Sequence, residues 1–215
     1  MVIVVQINVG GFDKNFSYLV YGSNKHALLI DATGSKNAIE KEIRERGLIL
    51  VAQILTHTHF DHVENVGYFL GKNVPLITFE ELKAEPGFIV DDFVVKILFT
   101  PGHSTDSICI LIENNLFSGD TLFVKGVGRT DLEGGSEKEL NESLEKISAL
   151  PPETILYPGH NYGGEKSSLK DALNLCDCRP SPEKLKQIEK KKADYKKLFK
   201  EKNQSHSHDS EQNKE

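Results

Sequence analysis

The chain has 215 residues, 38% of them hydrophobic, and 26 Lys and Arg against 32 Asp and Glu give a formal charge of −6. That length suits one domain with a short appendage; no apolar run approaches the ~20 residues of a membrane-spanning helix; and an acidic balance disfavours a nucleic-acid binder, whose domains are usually basic. The three cysteines, Cys109, Cys176 and Cys178, are few and odd in number and follow no secretory leader, which places the protein in a reducing compartment, the cytoplasm.

The N-terminal MVIVVQINVGG lacks a basic leader region and reads as a strand. FSYLVYG (16–22) and HALLIDATG (26–34) are two further strands ended by glycine, with a hairpin turn at SNK between them. SKNAIEKEIRERG (35–47) changes period: Ser35 caps, Ile39 and Ile43 lie four apart, and Gly47 closes a helix. LILVAQILT (48–56) is a continuous apolar run, expected to be a strand buried on both faces. GFIVDDFVVKILFTPGHS (87–104) and SICILIENNLFSGDTLF (107–123) each hold two strands, around an acidic and an Asn-Asn turn respectively. SEKELNESLEKISAL (136–150) is a helix with Ser136 at its N-cap and Glu139 at capping-box spacing. ETILYPGHNYGG (153–164) is a last strand and loop. The pattern predicts an α/β protein, two mixed sheets face to face with helices outside. Its main domain spans 1–175, a Lys-rich helical extension 176–202, and a polar, disordered tail 203–215.

Seven side chains of metal-ligand type fall where apolar runs end: His57, His59, Asp61 and His62 in HTHFDH, His103 in TPGHS, Asp120 in FSGDT and His160 in YPGHN. Such strand ends hand over to functional loops. Imidazole and carboxylate without thiolate suit zinc, iron or manganese and disfavour a closed structural zinc site. Seven ligands exceed one tetrahedral ion and fit two, each with an open position and a bridging carboxylate. Such pairs lie ~3.5–4 Å apart, activate a shared water and polarise a substrate oxygen.

This motif set resembles that of the metallo-β-lactamase superfamily, over nearly all of residues 1 to about 165. The resemblance implies an αββα four-layer sandwich. It further implies that His57, His59 and His103 hold a first metal, that Asp61, His62 and His160 hold a second, and that Asp120 bridges, with Asp61 also orienting the nucleophile. LFSGDTLFVKGVGRTDLEGGSEKEL and YPGHNY are similar to two branches. One is glyoxalase II, the hydroxyacylglutathione hydrolases, which cleave a glutathione thioester by attack of a metal-bound hydroxide at a two-metal site, zinc first among the candidates. The other is persulfide dioxygenase, which oxidises glutathione persulfide at a single iron held by the equivalents of His57, His103 and Asp120. GRTD (128–131) looks more like the dioxygenase and the short glyoxalase-II-like proteins. In those relatives the equivalents of Arg129 and Tyr162 lie near the glutathione site; here Arg129 offers a fork for a carboxylate, or an ion pair to Asp131 or Glu133, and Tyr162 offers a hydroxyl, or a packed loop aromatic.

The expected partner is therefore a small thiol-derived molecule, with no nucleic acid and no membrane, bound by a monomer or homodimer. Only about 50 residues follow PGHNYGG, whereas full-length glyoxalase II carries a helical extension that grips glutathione. Cys176 and Cys178 match no strong zinc or CxxC signature, and Cys109 within SICILI is expected in the core.

Overall fold

The computed structural model describes residues 1–11 and 13–176. The Lys-rich extension beyond Cys176, including Cys178, and the tail lie outside the described residues.

The first sheet is built from β1 (Ile3–Asn8), β2 (Phe16–Tyr21), β3 (His26–Ile30), β4 (Ile49–Ile54) and β5 (Leu76–Ile77), hydrogen-bonded in that order. α1 (Lys36–Arg46) carries the chain from β3 to its parallel neighbour β4. Its ends are those expected: the Ser35 side chain accepts from the Ala38 N–H, and Gly47 stops the helix with φ +62°. Between β4 and β5 lie two short helices, α2 (Phe60–Val63) and α3 (Val66–Leu70), and after β5 comes α4 (Phe79–Ala84). A capping box sits at α4, where Thr78 and Glu81 exchange side-chain bonds.

The second sheet runs β11-β10-β9-β8-β7-β6, from β6 (Gly87–Val90), β7 (Phe93–Phe99), β8 (Ile108–Ile112), β9 (Asn115–Gly119), β10 (Ile155–Pro158) and β11 (Ser167–Ser168). α5 (Glu137–Ser148) precedes β10, and α6 (Leu169–Leu175) follows β11. Both sheets mix parallel and antiparallel pairs.

Three apolar clusters separate four layers. Phe16, Tyr18, Ile54, Phe117 and Tyr157 belong to the cluster between the sheets. Phe117 stacks on Tyr157 at 5.2 Å, and Tyr18 meets both rings edge-on. Ile39 of α1 and Phe69 of α3 cover the outer face of the first sheet with Leu19 and Leu29. Leu140, Leu144 and Ile147, one face of α5 at helical spacing, cover the second with Leu116, Leu156 and, from α6, Leu169 and Leu173. Cys109 lies in this last cluster, fully buried, and burial pushes its thiol up to about 11. The αββα sandwich expected from the sequence is the architecture observed.

Three local expectations differ. β4 is not buried along its whole length: Ile49 is 58% exposed. β5 reaches only Gln53 and Ile54, so the first half of β4 has β3 alone as a neighbour. The β8–β9 turn is Glu113–Asn114, with Glu113 at φ +52° and Asn115 already in β9. The capping box expected at Ser136 and Glu139 is half formed: Ser136 caps α5 through the Glu139 N–H, while the Ser136 N–H goes to the Gly102 carbonyl at 2.7 Å.

Candidate metal centre

The HTHFDH stretch changes conformation halfway. β4 ends at Ile54, and His59 is still extended at φ −61°, ψ 146°. α2 then begins at Phe60, so Asp61 and His62 project from a helical turn. That break divides neighbouring ligands between two directions. The second sheet supplies the rest: His103 from the loop after β7, Asp120 directly after β9, and His160 after β10. The Gly102 in TPGHS is required sterically. Its φ is +134°, and a Cβ there would lie 2.2 Å from the backbone nitrogen of Leu140 in α5, so the close approach of α5 fixes the loop that carries His103.

The seven side chains meet in overlapping groups. Ligand atoms of His57, His59 and His103 lie within 4.8 Å of one another, as do those of Asp61, His62 and His160, and those of His57, His62 and Asp120. His103 Nε2 is 2.9 Å from His59 Nδ1, and His62 Nε2 is 3.3 Å from His160 Nε2. Asp120 lies between the two sets, its Oδ2 3.2 Å from His160 Nε2 and 3.6 Å from His103 Nε2.

The surrounding hydrogen bonds decide which nitrogen of each ring faces inward. His103 Nδ1 lies 2.8 Å from the Arg129 carbonyl and His160 Nδ1 2.8 Å from the Asp13 carbonyl. A carbonyl only accepts, so both Nδ1 atoms carry the proton and both Nε2 atoms offer lone pairs. Thr56 Oγ1 donates to Asp31 Oδ2 at 2.7 Å and therefore accepts from His57 Nδ1 at 3.2 Å. His62 Nδ1 faces the same Asp31 oxygen at 3.0 Å. With neutral rings, the lone pairs of His62 and His160 point at each other. His57 Nε2 is buried without any hydrogen-bond partner, and Asp120 Oδ1 faces His62 Nε2 at 3.4 Å. Converging lone pairs and an orphaned buried acceptor cost free energy unless a cation lies among them. The donor set thus fits divalent ions, with His57, His59 and His103 around one position, Asp61, His62 and His160 around another, and Asp120 within reach of both.

Charge follows the same logic. Burial, reinforced by His62, holds His57 well below the usual imidazole range. Burial would also lower His62, but the Asp31 and Asp120 carboxylates overcome it and raise His62 well above that range. His160 is raised as well: burial opposes, and Asp120 prevails. Burial disfavours ionised Asp120, yet its bonds to His160 and His62 hold it well below the carboxylate range.

The two remaining residues singled out in the sequence lie at the rim. The Arg129 guanidinium makes a two-pronged pair with Asp131, both bonds 2.7 Å, with both side chains exposed; only its carbonyl reaches the centre, through His103. The Tyr162 ring stacks on His160 at 5.2 Å, and its hydroxyl donates to the Asp13 carboxylate. A cleft of about 170 Å³ opens beside His57, walled by Leu55, Leu76, Ile77, Phe79 and Ile108.

Three positioning residues escaped the sequence reading. Asp31 is fully buried at φ +52° and orients His62 and, through Thr56, His57. Asp13 and Asn15 hold His160 and Asp61 from the β1–β2 loop. Their one sequence cue is polarity directly against a buried strand, as in HALLID and DKNFSYLV.

Comparison with known proteins gives a consistent picture. The Metallo-beta-lactamase superfamily model matches residues 10–77 and 73–160. A probable polyketide biosynthesis zinc-dependent hydrolase of Bacillus velezensis is 27% identical, over 74% of this chain and 79% of its own. A hydroxyacylglutathione hydrolase of Francisella philomiragia is 33% identical, over 75% of this chain and 68% of its own. Among solved structures, ETHE1 from Myxococcus xanthus superposes with a TM-score of 0.68 at 28% identity, covering 80% of this chain and 82% of its own. TTHA1623 in a di-iron-bound form gives a TM-score of 0.68 at 28% identity, over 81% of this chain and 98% of that one. Relatives thus carry zinc or iron. Among the described residues, no helix is long and apolar enough to cross a membrane.

Proposed function

For a chain that belongs to the metallo-β-lactamase superfamily, we propose the activity of a metal-dependent hydrolase of glyoxalase II type, cleaving a glutathione-like thioester. The observation that supports this reading is the pair of ligand triads with Asp120 between them, an arrangement with places for two ions. Two divalent ions, zinc first with iron or manganese as alternatives, would lower the pKa of a water and polarise the thioester carbonyl.

The chain's own residues then have definite tasks. Asp61 holds its carboxylate Oδ2 3.4 Å from His160 Nε2, where it can orient the attacking water. The outer hydrogen bonds of His57, His62, His103 and His160 keep each ring in one tautomer and one orientation. The cleft beside His57, largely apolar with Thr58, Thr78 and Asp106 in its lining, offers a place for an apolar part of the substrate. Arg129 is paired only to an exposed partner, and exposed pairs are weak, so a substrate carboxylate can compete for its fork. Tyr162 contributes a hydroxyl at the edge of the His160 side. A thiol-derived thioester is made where thiols stay reduced, which suits a cytoplasmic enzyme. We propose no nucleic-acid or membrane partner, and a monomer or homodimer.

The second reading is persulfide dioxygenase, with one iron on His57, His103 and Asp120. It is supported by the likeness to ETHE1 and by the GRTD segment. Metal analysis of protein purified without added metal, with both assays, separates the two. Two ions per chain with hydrolysis of S-lactoylglutathione supports the hydrolase. One iron with oxygen uptake on glutathione persulfide replaces it by the dioxygenase.

A further inference from the structure

We infer that Asn15 is a positioning residue for the second ion site, and that the Asp13–Asn15 loop sets how readily that site fills. The inference rests on the two-ion reading above and concerns residues that are not themselves ligands.

Asn15 is fully buried, in the hairpin between β1 and β2. Its amide nitrogen donates twice to one residue, to the Asp61 carbonyl at 3.1 Å and to Asp61 Oδ2 at 3.2 Å. Oδ2 is the carboxylate oxygen that faces His160 Nε2 at 3.4 Å and His62 Nε2 at 3.9 Å. One amide therefore ties the ligand oxygen to its own backbone and removes the rotation that would swing it away. The other end of the same amide accepts from the Asp13 N–H at 3.1 Å. Asp13 in turn accepts from His160 Nδ1 through its carbonyl and from the Tyr162 hydroxyl through its carboxylate. The loop is further stitched to the His160 segment by a backbone bridge between Asn15 and His160 and by Asn161 N–H to the Lys14 carbonyl at 3.1 Å. Lys14 adopts φ +57° to allow this path.

These contacts reach two of the three ligands of the second site. The first site is oriented from elsewhere: among the described residues, the ring hydrogen bonds of His57, His59 and His103 involve Thr56, the Arg129 carbonyl and one another. The loop is thus wired to one ion position and not to the other. A rigid carboxylate loses less conformational freedom on binding than a free one, and removing an outer partner of a metal ligand typically costs 10–100-fold in affinity.

The test is a chelator-competition titration of apo protein with zinc, following two binding steps in the full chain, the second step being defined as the one that His160→Ala removes. Wild type and Asn15→Ala are compared, with Thr33→Val as control, because Thr33 Oγ1 also donates to the Asp61 carbonyl but not to its carboxylate. Asn15→Ala is expected to weaken the second step about 10–100-fold and to leave the first within about twofold, with Thr33→Val shifting the second step far less. Asn15→Ser, too short to span to Asp61, repeats the measurement if the alanine variant does not fold. Equal weakening of both steps, an unchanged second step, or an effect of Thr33→Val as large as that of Asn15→Ala overturns the assignment. Wild type that takes up a single ion sinks the two-ion reading itself.

Discussion

Asp31 carries more of the centre than its position in the sequence suggests. Its carboxylate accepts from the Thr56 N–H at 2.7 Å, the Thr56 hydroxyl at 2.7 Å and His62 Nδ1 at 3.0 Å, so it orients one ligand of each ion position. An asparagine there has one accepting oxygen in place of two and turns an N–H toward groups that donate. Asp31→Asn is expected to weaken both zinc steps by about 10–100-fold, in contrast to a substitution at Asn15; chelator competition that finds either step unchanged contradicts this. The residue was not legible as functional because one acidic letter after HALLI has many uses. The ligands were legible because imidazoles seldom cluster without a reason, and His57, His59 and His62 fall within six positions.

Protonation at the same residues gives a second prediction. In ion-free protein, the carboxylates beside His62 and His160 favour the protonated rings, and such a proton competes with a cation for the same Nε2 lone pairs. Zinc must displace it, so affinity rises with pH until pH passes those raised pKa values, and binding releases protons. The sign for stability of the ion-free chain is opposite on the two partners. The raised His62 contributes stability that is full below its unfolded pKa and lost as pH rises through its folded one. The lowered Asp120 contributes stability present above its unfolded pKa and lost as pH falls through its folded one. The His62–Asp120 interaction enters both, beside Asp31 on one and His160 on the other, so the two are not added. Calorimetric titrations at neutral pH in buffers of different ionisation enthalpy measure the protons released; zero release contradicts the protonated ion-free state.

At the scale of elements, legibility followed length and punctuation. α1 and α5, of 11 and 12 residues, carry enough turns for an apolar stripe and have serine caps, so both could be read. α2, α3, α4 and α6, of 4, 5, 6 and 7 residues, hold two turns or fewer, and no period of 3.6 can establish itself. β5 and β11 have two residues each and exist only through their neighbours. The loops that carry ligands were legible as places, while their steric requirements were not. Gly159, beside His160, shows the difference. A Cβ there would lie 2.4 Å from Asp120 Oδ1 and 2.9 Å from His62 Cε1. Gly159→Ala must push the bridging carboxylate aside, and overpacking of this kind costs about 1–3 kcal/mol. The expected outcome is a folded protein that melts lower and has lost most hydrolytic activity and part of its zinc. Full zinc content with unchanged activity would show that Asp120 tolerates the displacement.

At the scale of the molecule, the centre lies where the two sheets meet. His57, His59, Asp61 and His62 follow β4 of the first sheet, while His103, Asp120 and His160 follow β7, β9 and β10 of the second. Each ligand triad draws on both sheets: His103 joins His57 and His59, and His160 joins Asp61 and His62. Bound ions would therefore cross-link the sandwich at one end, in addition to the aromatic packing of Tyr18, Phe117 and Tyr157 that holds it within. An unfolded chain cannot present these ligands together, so binding favours the folded state. At free zinc 100-fold above the dissociation constant, a single site contributes about 2.7 kcal/mol. A chain of this size shifts its melting temperature by roughly 2–4 °C per kcal/mol. Chelated protein is thus expected to melt about 5–11 °C below the zinc-loaded form. If chelation removes the metal and leaves the melting temperature unchanged, the ligands are not bridging the sheets in the folded state. The ions would then matter to chemistry alone, and the sandwich would owe its closure to the apolar core.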